Sequence, residues 1–100
     1  MAPLDDSDGF EALRARNQVL LSDLVSIDLD LAHTFLEMAK GTDNPEHEQR
    51  TVAYARNALE AVRRLFCWVE NPDWLNGFEK RADELQTAIR AAERDRAPTG

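Results

Sequence analysis

Between residues 45 and 70 the apolar positions recur three and four apart, placing Val52, Ala55, Leu59, Val62, Phe66 and Val69 on one stripe of a helical wheel. That spacing is the repeat of an amphipathic helix packed along one face. It returns over residues 72–95 as Trp74, Phe78, Ala82, Leu85, Ile89 and Ala92, and over residues 9–40 as Leu20, Leu24, Ile27, Leu31, Phe35 and Met38. The stretches between the four Gly and four Pro are rich in Ala, Leu, Glu and Arg. These residues favour helix by propensity, so every ordered part of the chain reads as helix.

The punctuation supports three helices. Asp8 is placed to cap the first, with Glu11 as the acid of a capping box, and Lys40-Gly41 closes it. Asn44-Pro45-Glu46 and Asn71-Pro72-Asp73 each supply a capping amide, a proline where its missing N–H costs nothing, and an acid at the positive helix end. The predicted helices are therefore about 9–40, 45–70 and 72–95. They form one domain over residues 8–95, with tails at 1–7 and 96–100. Ser22-Asp23 offers a competing cap, and a break at residues 17–23 would give four helices instead. The two Asn-Pro-acid turns do not mark an internal repeat, because the residues between them match poorly.

Three amphipathic helices with short connections predict an all-α, antiparallel up-down-up three-helix bundle. Folding back near Thr42-Asp43 brings the end of the second helix beside Arg16, so the third runs parallel to the first. In this arrangement the turns around Phe10 and Leu13 cover an aromatic corner of Phe66, Trp68 and Trp74.

Asp28 interrupts the apolar side of the first helix, lying on the wheel between Leu24, Leu31 and Phe35 on one flank and Leu21 and Ala32 on the other. An ionised acid buried without a partner costs several kcal/mol, roughly, so Asp28 is expected to be exposed, protonated or matched to a donor. The hairpin register sets Asp28 beside Arg56, Asn57 and Ala58, and both Arg56 and Arg63 lie just off the second helix's stripe, where long stems reach inward. The simplest reading is an inter-helix salt bridge; the sharper one is a ligand site around Asp28, Arg56 and Arg63.

The first helix also carries more apolar surface than one bundle face requires, because Val25, Leu29, Ala32 and Leu36 widen its arc to about half the circumference. Either its two sides meet the second and third helices separately, or Val25, Leu29 and Leu36 form an exposed patch for a partner helix or a second copy. Trp68 lies off its own helix's stripe and is the matching candidate anchor.

Composition narrows the function classes. Twelve Lys plus Arg against nineteen Asp plus Glu give a net charge of −7. That balance disfavours phosphate backbones and anionic lipid surfaces, so neither nucleic acid nor membrane is an expected partner. Residues 1–42 hold eight acids against three bases, a bias that solubilises the chain or steers a basic partner. No apolar run approaches a membrane span and no secretory leader is legible, which predicts a cytoplasmic chain.

Asp30-x-x-His33 and His33-x-x-x-Glu37 have metal-ligand spacing but lie on a polar face, so no metal or other cofactor is expected. Cys67, the single cysteine, reads as a small buried hydrophobe at a stripe's edge. No glycine-bracketed nucleophile or Gly-rich phosphate loop is present.

Arg16, the Leu-rich run after it, Lys40 and the stretch Glu46-His47-Glu48-Gln49-Arg50 resemble, over about half the chain, the layout of the all-α chorismate mutases. His33 stands where that family's pattern calls for an arginine, and the spacing to Lys40 differs from it. The resemblance implies an intertwined dimer of one long and two shorter helices, whose cationic side chains grip a dicarboxylate substrate. The capped hairpin also resembles tetratricopeptide and microtubule-interacting-and-transport modules, in a way general to helical pairs. The residues themselves favour a helical protein–protein interaction module that self-associates as a homodimer or docks a partner helix, with a small Asp/Arg-based enzyme as the alternative.

Overall fold

A computed structural model describes residues 6–96, with side chains placed from Gly9 to Arg94. Helix α1 spans Asp6–Lys40, α2 Pro45–Leu65 and α3 Pro72–Arg96, and a single 3-10 turn, Phe66–Trp68, follows α2. The Asn-Pro turns work as their chemistry requires. The Asn44 side-chain oxygen accepts from the N–H groups of Glu46 and His47 at 3.0 and 3.3 Å. Asn71 does the same for Asp73 and Trp74 at 2.9 and 3.2 Å. Each amide satisfies two of the backbone donors that a helix start leaves unpaired.

Two boundaries differ from expectation. Asp8 lies inside α1, which is already helical at Asp6, so it does not cap the helix and residues 6 and 7 are not tail. Residues 1–5 and 97–100 fall outside the described chain. The alternative break at residues 17–23 is absent, since α1 is continuous through it. Finally, α2 stops at Leu65 instead of reaching residue 70. The chain tightens into the 3-10 turn and then extends at Val69, with φ −77° and ψ 119°, ahead of Asn71, which Pro72 disfavours from the helical region.

All three helix pairs are in contact, most extensively α1 with α2. The direction of each pairing follows from its cross-links. Phe35 meets Tyr54 and Gln18 meets Glu70, so α2 runs antiparallel to α1. Arg56 pairs with Glu93 and Arg63 with Asp83, so α3 runs antiparallel to α2. Arg81 pairs with Asp30, and α3 accordingly lies parallel to α1. The fold is the up-down-up bundle.

The core takes in full the stripe expected of the second helix, Val52 to Val62 from α2 with Phe66 and Val69 from the segment after it, and Ala82, Leu85 and Ile89 from α3. From α1 it takes a different face than expected: Val25 and Leu29 at 0% exposure, with Ala32, Leu36 and Ala39. The stripe of Leu20, Leu24, Ile27, Leu31 and Met38 instead faces outward. The inward face is displaced by one residue, a turn of about 100° around the helix axis. A triangular bundle draws only one face from each helix, and Ala32 and Ala39 let α1 approach closely. Thr51 is the one buried polar residue among those described, its hydroxyl donating to the His47 carbonyl at 2.6 Å.

Candidate functional site

The structure does not assemble Asp28, Arg56 and Arg63 into one site. The Arg56 guanidinium pairs with Glu93 and that of Arg63 lies 3.3 Å from Asp83, so both arginines turn toward α3. Asp28 is half-buried and forms no ion pair among the described residues. The reason is the displaced inward face of α1. Asp28 sits at the border between the buried face and the outer stripe, close enough to water to need no guanidinium.

The expected interaction surface is likewise corrected. Val25 and Leu29 are fully enclosed and Leu36 is 3% exposed, so all three are core. Trp68 is 67% exposed, and Phe10 and Leu13 are exposed as well, so the turns around them do not cover an aromatic corner. Only Phe66 of that corner is buried. Cys67 is exposed instead of buried, its thiol donating to the Arg64 carbonyl at 3.2 Å, because the 3-10 turn swings it away from the stripe.

What α1 offers to solvent is an apolar band interrupted only at Asn17 and Thr34. Leu13, Leu20, Leu24, Ile27, Leu31 and Met38 follow one another on the side turned away from the core, with Leu20 59% and Ile27 61% exposed. Isolated exposed leucines need no explanation, but a contiguous row does. The edge toward α2 is closed by Phe35, whose ring lies 5.5 Å from that of Tyr54 at a tilted angle. On the other edge Arg81 holds Asp30 at 2.7 Å.

The lower end of the bundle is pinned by a polar clasp. Gln18 donates to the Trp68 carbonyl at 2.9 Å and accepts from the Glu70 N–H at 2.9 Å, taking up one carbonyl and one N–H of the α2–α3 connection. The Arg14 Nε reaches both Glu70 carboxylate oxygens, at 2.9 and 3.0 Å. That hydrogen bonding, and then the charge of Glu70, raise Arg14 above its ordinary range. The clasp meets α1 at Arg14–Gln18, so the turns before it project past the end of the bundle.

The remaining chemistry is dispersed. His33 lies 3.9 Å from Glu37, and Lys40 lies 3.5 Å from the same exposed carboxylate. The groove between α1 and α3 that these residues line also holds Arg81 and Glu84, so its charges alternate in sign and do not converge on a shared point. Among the described residues no three His, Cys, Asp or Glu side chains come together as a metal-binding group, and no helix is long and apolar enough to cross a membrane.

Comparison with family models, curated proteins and solved structures finds none that matches this chain. The outer band was open to discovery from the sequence. Its two candidate stripes differ in purity: the row through Leu21, Val25, Leu29, Ala32, Leu36 and Ala39 has no polar member, whereas the other is broken by Asn17 and Thr34. The Gln18 clasp carried no comparable sign.

Proposed function

We propose that this chain is a helical protein–protein interaction module that self-associates, with the outer band of α1 as its contact surface. The observation that carries the reading is the exposure of Leu20, Leu24, Ile27 and Leu31 in succession along α1, extended past Asn17 and Thr34 by Leu13 and Met38, while α2 and α3 are both satisfied on its opposite face. Keeping such a row in water forfeits roughly 25 cal/mol for each Å² of apolar surface left uncovered. Covering it supplies the driving force for association. Polar residues at its borders, Arg16, Asp23 and Glu37 among them, form the rim that such surfaces carry.

The test is the mass of the chain in solution. Sedimentation equilibrium on the unaltered protein is expected to show concentration-dependent association. The double variant Leu20→Glu, Ile27→Glu is expected to remain monomeric at every concentration while its helical circular dichroism is unchanged, since neither side chain contributes to the core. A wild-type mass that stays at one chain across the range would sink the proposal.

A further inference from the structure

We infer that two copies pair antiparallel along α1, in a register that sets Leu24 against Ile27 of the second copy; this rests on the self-association just proposed and specifies its geometry. The outward residues of α1 recur with heptad spacing: Leu24, Leu31 and Met38 at one position, Leu13, Leu20 and Ile27 at the other. That is the seam of a two-stranded coiled coil, carried on a helix whose opposite face is already occupied. The seam spans 26 residues from Leu13 to Met38, about 37 Å from end to end at the α-helical rise. The exposed parts of its six large side chains come to on the order of 600 Å². That is the larger part of the roughly 800 Å² that each partner gives to a standard-size interface. A second copy of the chain is thus sufficient to cover it.

Charge decides the direction. The outward flank of α1 carries Arg16 near one end and Asp23, Asp30 and Glu37 toward the other, and Arg16 has no ion-pair partner among the described residues. Antiparallel pairing brings Arg16, as a second cation beside Lys40, to the exposed Glu37 carboxylate of the second copy, twice by symmetry. It also brings Asp23 to Asp30, but Asp30 is already neutralised by Arg81 of its own chain. Parallel pairing would instead oppose Asp23 to Asp28, neither of which has a cation, and would align the two helix dipoles.

The polar breaks fit the same register. Asn17 of one copy lies opposite Thr34 of the other, whose hydroxyl donates to the Asp30 carbonyl at 2.9 Å and keeps its oxygen free to accept from the Asn17 amide. Leu13, on the turn that projects past the bundle, comes to rest on Met38. Each overhang is then covered by the other copy's body.

Distance measurement between spin labels tests the orientation. On a Cys67→Ser background, a nitroxide at Lys40→Cys is expected to lie roughly 40 Å from its counterpart in the antiparallel dimer, because the two sites fall at opposite ends of the seam. A separation under about 30 Å in a sample that sediments as a dimer would overturn the orientation and leave self-association standing; a chain that sediments as a monomer throughout would remove both. Charge reversal gives a second readout. Arg16→Glu is expected to weaken dimerisation about threefold to tenfold, and adding Glu37→Arg to restore it. Failure of the double reversal to recover the wild-type affinity would overturn the register.

Discussion

Leu20 and Leu29 are the same side chain on the same helix, nine positions apart. Leu29 is enclosed on every side and Leu20 is more than half exposed. Replacing Leu29 by Ala removes packed methyl groups and leaves a cavity, an expected cost of about 2–5 kcal/mol. Leu20→Ala is expected to change stability by no more than about 0.5 kcal/mol in a sample dilute enough to be monomeric. Urea denaturation of the two variants beside the wild type checks both values, and a reversed order would return the core to the stripe expected from sequence. The inward residues of α2 were legible because that helix has one apolar stripe and no competitor. On α1 two stripes adjoin, and only the polar breaks at Asn17 and Thr34 tell the outward one from the inward one. Asp28 was misplaced for the same reason. It stands in the middle of the combined arc but at the edge of the half that is buried, and its expected partner Arg56 was taken by Glu93 from a helix whose approach the two-helix register did not include.

At the scale of elements, the helix starts after Asn44 and Asn71 were the most readable features, because a capping amide, a proline and an acid in sequence define the geometry locally. The end of α2 was less so. Its apolar spacing continues unbroken to Val69, past the point at which the α-helix gives way to a 3-10 turn. That turn exposes Cys67 and Trp68. Helix α3 holds a different weakness at Gly77, on its solvent side in the second turn, where a Cβ would meet nothing within 4 Å. A glycine inside a helix forfeits backbone entropy with no gain in packing. Gly77→Ala is therefore expected to stabilise the chain by about 0.5–1 kcal/mol, seen as a higher denaturation midpoint with an unchanged denaturant dependence. A loss of stability would mean that α3 is not a regular helix at that point.

At the scale of the whole molecule, the division of α1 into a face consumed by its own bundle and a face left outward links folding to association. A dimer whose contact surface exists only on the folded helix stabilises the native state by mass action. Thermal unfolding of the wild type is then expected to shift to higher temperature as protein concentration rises, and the Leu20→Glu, Ile27→Glu variant to unfold at one temperature throughout. At the lowest concentrations the two curves should converge, because the substituted side chains lie outside the core and contribute little to the monomer. This comparison separates surface from core more sharply than a mass measurement. A variant that unfolded early even in dilute solution would place Leu20 and Ile27 inside the bundle, and a wild type with a concentration-independent midpoint would show that the outer band of α1 gains nothing from a second copy.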